Sequence, residues 1–222
     1  MTDRNALVIG ASGGIGKAVA GALAPVANVT RLSRRDDGLD VRSQASVDAA
    51  LDALPGPYDL IFVATGALVV DGQRPEKALK EVSETSLRDQ WEVNALGPAL
   101  ILRHAPRLLP RDRRAVIAVL SARVGSIGDN GLGGWYGYRA AKAAVNQIVH
   151  TAAIEIARSH KQAICVALHP GTVATPFTRD FVSPDRATPP ETAAANLLSV
   201  IDGLTPAQSG GFYDYAGNEV PW

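Results

Sequence analysis

The segment Ala6-Leu-Val-Ile-Gly10-Ala-Ser-Gly-Gly14-Ile-Gly16 joins a short apolar run to a glycine-rich turn, and helical spacing of apolar residues begins at Ile15. A strand that leads through such a turn into a helix directs backbone N–H groups and the positive end of the helix dipole at one point. Glycines let the backbone approach a phosphate closely. The segment therefore predicts a strand–turn–helix unit that binds a pyrophosphate, with a tight connection that binds nothing as the alternative.

The alternation of apolar run and helical stretch continues along the whole chain. The runs are Ala6–Ile9, Val29–Leu32, Leu60–Ala64, Ala115–Leu120 and Ala163–Leu168. The helix candidates are Ile15–Leu23, Ser43–Leu54, Ser86–Leu109, Gly137–Ser159 and Glu191–Ile201, with Ser43 and Ser86 as N-terminal caps and a bend at Gly97-Pro98. Continuous apolar runs are typical of strands covered on both faces. The pattern predicts a doubly wound α/β fold with a parallel sheet, as one domain over residues 1–222.

Composition narrows the classes of partner. The chain has 222 residues, 46% of them hydrophobic, and its 22 basic residues balance 22 acidic ones. Without net charge there is no field to attract nucleic acid or an anionic membrane, so we expect small molecules or further copies of the chain as partners. The single cysteine, Cys165, excludes an intramolecular disulfide, and no Cys/His spacing indicates a metal site. No apolar stretch of about 18 residues and no signal peptide are present, which favours the cytoplasm.

A tyrosine and a lysine stand four residues apart in the fourth predicted helix. Tyr138 and Lys142 therefore project from the same helix face. An ammonium group beside a phenol favours the phenolate and lowers the pKa of the phenol from about 10 towards the range useful for proton transfer. The pair is a candidate proton donor to a ketone or acceptor from an alcohol; a surface pair with the lysine stem packed on the ring is the alternative.

The glycine turn and the Tyr-x-x-x-Lys pair, in this order, resemble the short-chain dehydrogenases/reductases over essentially the whole chain. Within that family, the segments Gly133–Lys142 and Gly210–Trp222 resemble the branch of sniffer-type carbonyl reductases and the C-factor. The resemblance implies hydride transfer between a nicotinamide and a carbonyl carbon. It implies that Tyr138 gives or takes the oxygen's proton, that Lys142 lowers the pKa of Tyr138 and contacts the ribose, and that Asn94 orders a water in the proton relay.

The serine of the family departs from the usual pattern. The family has Ser-Ser-x-x-Gly after the fifth strand, and its second serine polarises the substrate carbonyl. Here the segment reads Ser121-Ala-Arg-Val-Gly125, so Ala122 takes the place of that serine. We predict that Ser121 supplies the hydroxyl, with Ser126 or no serine at all as alternatives.

The second strand bears on the choice of cofactor. It ends in Ser33 and Arg34, where an enzyme that reads the free ribose hydroxyl of NAD places a carboxylate. An arginine can hold a 2′-phosphate in a forked contact, which favours NADP(H) over NAD(H). A solvated basic turn is the alternative. With the contacts that the resemblance implies, the predicted cofactor-binding residues are Gly10, Ser12, Gly14, Ile15, Gly16, Ser33, Arg34, Asp40, Val41, Ala64, Gly66, Tyr138, Lys142, Pro170, Gly171, Val173 and Thr175.

The family usually has Asn-Asn-Ala-Gly where this chain has Val63-Ala-Thr-Gly66, so the support of the central strand differs. Only a few residues separate Arg35 from Asp40, which leaves no room for the usual second helix and very little for a third strand. We expect Val124, Trp135 and the loop Phe177–Thr188 to shape the substrate pocket. The resemblance also implies a homodimer or homotetramer.

Two other functions are consistent with parts of the sequence. A nucleotide-binding regulatory or signalling protein with little turnover would explain the altered serine position, since the C-factor branch is associated with signalling. An extended sugar-nucleotide epimerase would need a substrate domain for which the chain is too short. The preferred prediction is an NADP(H)-dependent oxidoreductase that acts on a small carbonyl or alcohol substrate.

Overall fold

A six-stranded parallel sheet forms the centre of the molecule in a computed structural model, which describes residues 4–222. The strands lie in the order β2-β1-β3-β4-β5-β6. Their bounds are β1 Asn5–Ile9, β2 Asn28–Leu32, β3 Leu60–Val63, β4 Ala115–Leu120, β5 Ala163–His169 and β6 Phe212–Asp214. The five predicted strands are present, and helices cover both faces of the sheet. The predicted doubly wound α/β fold is confirmed.

Helices alternate with the strands along the chain. They are α1 Gly14–Leu23, α2 Arg34–Asp37, α3 Gln44–Asp52, α4 Glu84–Trp91, α5 Gly97–Leu102, α6 Ala105–Leu108, α7 Tyr136–Ser159 and α8 Pro190–Gly203. Short 3₁₀ turns span Leu79–Glu81, Arg123–Gly125, Pro184–Arg186 and Pro206–Gln208, and a π-helical turn spans Glu92–Leu96. No helix within residues 4–222 combines the length and the apolar character needed to cross a bilayer.

The two faces of β1 show why the apolar runs are continuous. Leu7 and Ile9 belong to a core on the side of α3 and α7, whereas Ala6 and Val8 belong to a second core on the side of α1 and α8. All four side chains are fully buried. Since successive residues of a strand point to opposite faces, a sheet with a core on each side needs apolar residues at every position of its strands.

The prediction of one long helix from Ser86 to Leu109 is wrong: the helix begins earlier and is interrupted. The N-terminal cap is Ser83, whose hydroxyl accepts the Ser86 N–H at 3.1 Å, so Ser86 lies inside the first turn. The helix then passes through the π-helical turn before Gly97-Pro98. Because Pro98 has no N–H to donate to the preceding turn, the regular ladder of hydrogen bonds cannot run through it. The predicted cap Ser43 is confirmed, since its hydroxyl accepts the Ser46 N–H.

The adenosine side of the sheet is short, as predicted. β2 is an edge strand, and no strand lies outside it within the described residues. The expectation that no helix fits between Arg35 and Asp40 is wrong, because the one-turn helix α2, capped by Ser33, lies there. β6 was not predicted: three residues that follow Gly210-Gly211 make too short an apolar run to stand out in the sequence.

Candidate active site

A cavity of about 480 Å³ opens at the carboxyl edge of the sheet. In parallel sheets the turns that follow the strands meet at this edge, which is where ligands bind in doubly wound folds. Its walls come from the turn after β1, the ends of β3, β4 and β5, and the start of α7. The predicted site residues that line it are Ser12, Gly14, Ile15, Gly16, Ala64, Gly66, Ser121, Tyr138, Lys142, Pro170, Gly171, Val173 and Thr175.

The glycines of the first turn are required by close approaches. A Cβ at Gly16 would lie 2.3 Å from the carbonyl oxygen of Gly10, and a Cβ at Gly14 would lie 2.3 Å from Cγ2 of Thr175. Gly10 has a φ of +87°, which other residues adopt at a cost. No side chain within the described residues caps the start of α1, where Gly13 is the N-cap. Uncapped N–H groups in a glycine-lined cradle fit a pyrophosphate.

The end of β2 lies outside this cavity and is organised around a serine. The Ser33 hydroxyl accepts the Asp36 N–H at 3.0 Å, and the Asp37 carboxylate accepts the Ser33 N–H at 2.8 Å. Arg35 pairs with Asp36 at 2.8 Å, whereas Arg34 is exposed and makes no ion pair within residues 4–222. Arg34 is therefore the basic side chain of this turn that is available to a ligand.

The predicted adenine contacts lie next to α5. A Cβ at Gly97 would be 2.9 Å from Cβ of Val41, so the missing side chain makes room for Val41. The Asp40 carboxylate accepts the Arg42 N–H at 3.0 Å and shapes the turn into α3. Contacts of Asp40 and Val41 with a nucleotide stay a prediction.

Tyr138 and Lys142 lie on the face of α7 that points into the protein. Both side chains are buried, and Lys142 Nζ donates to the carbonyl oxygen of Leu120 at 3.0 Å. Nζ lies 5.8 Å from the centroid of the Tyr138 ring. The surface pair considered as an alternative is excluded, because neither group is at the surface.

The surroundings of this pair act on the two pKa values in a way that the sequence reasoning missed. Burial raises the pKa of the Tyr138 phenol above its ordinary value, and burial lowers the pKa of Lys142 to about 8. The expected lowering of the Tyr138 pKa is thus outweighed by the cost of placing a phenolate away from water. At neutral pH Tyr138 is a phenol that holds a proton to donate.

Asn94 is fully buried in the π-helical turn and ties this turn to the end of β3. Its Oδ1 accepts the Ala67 N–H at 3.1 Å, and its Nδ2 donates to the Ala67 carbonyl at 2.9 Å and to Oε1 of Gln90 at 2.8 Å. A Cβ at Gly66 would lie 3.0 Å from Asn94 Oδ1 and 3.5 Å from Lys142 Nζ. The structure therefore brings Asn94 and Lys142 close to each other beside Gly66, and a proton relay through them stays a prediction.

The two serines considered for the substrate contact are both engaged within the protein. Ser121 lines the cavity, but its hydroxyl donates to Oδ1 of Asn146, one helical turn beyond Lys142, at 2.5 Å. The Ser126 hydroxyl accepts the Asp129 N–H at 3.1 Å. Ala122 lines the cavity with a methyl group. A contact between Ser121 and a substrate oxygen stays a prediction, and it requires the bond to Asn146 to open.

Sequence reasoning missed Glu76, a residue with no motif around it. Its buried carboxylate accepts the Gly137 N–H at 3.0 Å, and its carbonyl accepts the Trp135 N–H at 2.5 Å. Trp135 has a φ of +54°, which is strained for a tryptophan. Glu76 thus holds the start of α7 two residues before Tyr138. No pattern in the sequence indicates that this glutamate meets a backbone N–H 61 residues further along the chain.

Aromatic rings form one side of the cavity, where the residues predicted to shape the substrate pocket lie. The Trp135 ring meets the Tyr138 ring edge to face at a centroid distance of 6.2 Å and the Phe181 ring at 5.7 Å. The Phe177 ring lies 6.1 Å from that of Tyr138. Val124 also lines the wall. This part of the cavity suits an apolar or planar molecule.

Comparison with known proteins decides the family. A model of the short chain dehydrogenase family matches residues 4–186. The chain belongs to the short-chain dehydrogenase family. It is therefore an oxidoreductase of that family.

Two known proteins are similar to this short-chain dehydrogenase in sequence. One is the 1-hydroxy-2-glutathionyl-2-methyl-3-butene dehydrogenase of Rhodococcus sp. (strain AD45), which is 34% identical over 190 residues, covering 84% of this chain and 80% of the relative. The other is the C-signal of Myxococcus xanthus, which is 38% identical over 176 residues, covering 78% of this chain and 98% of the relative.

Solved structures share the fold of this short-chain dehydrogenase. The carbonyl reductase Sniffer of D. melanogaster has a TM-score of 0.84 at 21% identity, and the match covers 99% of each chain. An NADPH-bound carbonyl reductase from chicken fatty liver has a TM-score of 0.83 at 20% identity, covering 100% of this chain and 95% of that one. Both likenesses concern the fold.

Proposed function

We propose that this short-chain dehydrogenase is an NADP(H)-dependent reductase of small carbonyl compounds, with Tyr138 as the proton donor. The observation that carries the proposal is the buried pair of Tyr138 and Lys142 at the wall of a cavity that the uncapped glycine turn also lines. A proton donor and a pyrophosphate cradle that share one cavity suit a reaction between a nucleotide and a carbonyl group.

The residues present fit a nicotinamide dinucleotide. The N–H groups at the start of α1 would hold the pyrophosphate, and the turn Pro170–Thr175 would hold the nicotinamide end. When bound in its reduced form, the cofactor supplies the hydride that reduces the carbonyl carbon. Tyr138 donates its proton to the carbonyl oxygen, and its raised pKa keeps that proton available at neutral pH. Lys142 orients the ribose and stabilises the tyrosinate that remains, while Asn94 holds a water that returns the proton.

Arg34 supports NADP(H) over NAD(H). Its guanidinium is exposed and forms no ion pair with any residue that the structure describes, and Ser33 stands where a carboxylate would repel a 2′-phosphate. A guanidinium binds a phosphate through charge-assisted hydrogen bonds. The NADPH bound to the chicken carbonyl reductase is in accord with this preference.

The deciding experiment combines Tyr138→Phe with a panel of aldehydes, ketones and quinones. We expect the wild type to oxidise NADPH with members of the panel, and the variant to lose at least 100-fold in kcat because the proton donor is gone. NADPH binding by fluorescence titration should stay within about threefold, which controls for folding. Equal turnover by Tyr138→Phe would refute the assigned role.

A second candidate function is a nucleotide-binding signalling protein with little turnover. The similarity to the C-signal and the alanine at position 122 favour it. It predicts that NADP(H) binds and raises the melting temperature while no carbonyl is reduced, and that Tyr138→Phe changes neither property. The panel above therefore separates the two candidates.

We also propose a homodimer or homotetramer built on α4 and α7. Leu87 and Trp91 on α4 and Ile154 on α7 are apolar residues about half exposed to solvent, on neighbouring helices. Burial of such side chains in an interface removes apolar surface from water. Light scattering after size exclusion should give a multiple of 23.2 kDa. A monomer at micromolar concentration would contradict this proposal.

A further inference from the structure

The proposed reaction lacks one hydrogen bond that the family's serine provides. Position 122 presents only a methyl group to the cavity, and the hydroxyls of Ser121 and Ser126 are bonded to Asn146 and Asp129. Tyr138 would then meet the oxygen of a substrate without the second donor. A second donor matters because it stabilises the negative charge that develops on the oxygen as hydride arrives.

His169 lies at the same edge of the sheet as position 122 and lines the same cavity. It is the last residue of β5, and β5 pairs with β4 so that Leu168 stands opposite Leu120. The Ser121 N–H donates to the carbonyl oxygen of Leu168 at 2.8 Å, which sets His169 beside Ser121, one residue before Ala122. Both Ala122 and His169 line the cavity. A donor on His169 therefore faces the same cavity as position 122 and the Tyr138 phenol.

The two ring nitrogens of His169 have different surroundings. Nδ1 is buried and has no hydrogen-bond partner within the described chain. Nε2 is not among the buried unpaired atoms, and no bond from it to residues 4–222 is present, so it stays accessible. A buried N–H without an acceptor is rarer in proteins than an unused acceptor. The tautomer with the proton on Nε2 is therefore favoured, and its N–H is free for a ligand.

Burial, more than the charges nearby, keeps the ring of His169 neutral. Burial and the guanidinium of Arg123 lower the pKa of His169 to about 4, against the opposing effect of Asp214. The Tyr215 ring packs edge to face on the imidazole at a centroid distance of 6.5 Å. A neutral imidazole has one N–H, so His169 acts as a hydrogen-bond donor of fixed direction and not as an acid.

We propose that His169 contacts the substrate and donates Nε2–H to the carbonyl oxygen, in place of the serine that Ala122 replaces. The inference rests on the proposed carbonyl reduction. No proton leaves His169: the proton of the product alcohol comes from Tyr138. Because the bond strengthens as charge builds on the oxygen, His169 acts on kcat more than on KM.

Two substitutions of His169 distinguish a donor from a packing residue. The side-chain amide of glutamine reaches about as far as Nε2, whereas that of asparagine reaches about as far as Nδ1. We expect His169→Asn to lower kcat about 100-fold, the low end of the effect of removing one such donor, with KM within about threefold. His169→Gln should stay within about tenfold of the wild type. Melting temperature and NADPH titration control for folding.

Restoring the serine supplies a rescue. Ala122→Ser should raise kcat at least about tenfold in the His169→Asn background and at most about threefold in the wild type, because two donors to one oxygen are partly redundant. The same factor in both backgrounds would overturn the inference, as would His169→Asn within about threefold of the wild type. A wild type that reduces no carbonyl would instead refute the proposed function, which is a different outcome.

A readout without turnover is available from the imidazole nitrogens. In ¹⁵N spectra at pH 7, His169 should carry its proton on Nε2, and this signal should shift when a ketone from the panel is added to the protein with NADP⁺, which cannot reduce it. The His169→Gln spectrum assigns the signal among the 4 histidines. A proton on Nδ1, or no shift with a ketone that the enzyme reduces, would overturn the inference.

Discussion

Replacement of Glu76 tests how the start of α7 is held. The Glu76 carboxylate is buried and accepts the Gly137 N–H at 3.0 Å, at the positive end of a 24-residue helix. A hydrogen bond to a charged group contributes about 1.5 to 3 kcal/mol. A charge near a partly buried helix end adds up to about 2 kcal/mol. We expect Glu76→Ala to lower the free energy of unfolding by about 3 kcal/mol, and Glu76→Gln by about 1 kcal/mol, because the amide oxygen still accepts the bond.

Urea unfolding followed by circular dichroism measures these differences, with Glu81→Ala as the matched control. Glu81 accepts the Lys77 N–H at 2.8 Å in an exposed turn, so its loss should cost less than about 1 kcal/mol. A midpoint for Glu76→Ala equal to that of the control would refute the reasoning. Carbonyl reduction should also fall, because Trp135 and Tyr138 lose their support.

The pH dependence gives an independent check on Glu76. Burial alone would raise the pKa of Glu76, but the nearby Ser86 hydroxyl and the backbone N–H groups of Glu76 and Gly137 favour the carboxylate, and the pKa lies below the ordinary 4.5. A carboxyl group whose pKa is lower in the folded than in the unfolded state stabilises the fold at pH values above its unfolded-state pKa. This contribution is lost as the pH falls through its folded-state pKa. The difference between wild type and Glu76→Gln should thus be full at pH 7 and shrink below about pH 4.5. A constant difference would contradict a charged Glu76.

Three further predictions concern the cofactor and the buried lysine. Gly16→Ala should weaken NADPH binding and destabilise the fold by about 1 to 3 kcal/mol, because its Cβ would lie 2.3 Å from the Gly10 carbonyl oxygen. Gly21→Ala is the control: Gly21 has open space around it, so this change should be neutral or stabilising in the same NADPH titration and urea assay. Arg34→Ala should lower kcat/KM for NADPH at least about tenfold and leave kcat/KM for NADH unchanged, since a charge-assisted phosphate contact contributes about 1.5 to 3 kcal/mol. The control is Arg35→Ala, because the Arg35 guanidinium is paired with Asp36. Equal losses with both cofactors would disprove the preference. Lys142→Met should abolish reduction yet raise stability at pH 7 by about 3 kcal/mol, because burial lowers the pKa of Lys142 from 10.5 to about 8. That gain should shrink as the pH rises from 8 to 10.5, because the folded wild type then carries a neutral lysine. A gain that grows with pH in the urea assay would contradict the sign.

The sequence contains enough to predict the sheet and the partners that lie close along the chain. Five strands follow from apolar runs such as Leu60–Ala64, and the buried faces follow from their continuity. Tyr138 and Lys142 meet because a helix brings residues four apart together whatever surrounds them. The glycine turn is likewise local, since Gly10 and Gly16 contact each other within one unit. The strand β6 was missed because its three residues carry no period.

Only the tertiary structure decides what each side chain meets from a distant part of the chain. Asn94 reaches Gly66 through a π-helical turn, and Glu76 holds Gly137 across 61 residues. The hydroxyl of Ser121 is taken by Asn146, which no spacing in the sequence reveals.

The buried pair shows the same division in its energetics. The spacing of Tyr138 and Lys142 suggests that the lysine lowers the pKa of the phenol, yet burial raises it. Local periodicity depends on a few consecutive residues and can be predicted from them. Desolvation and long-range hydrogen bonds depend on every element packed around a group, so they exist only once the chain has folded.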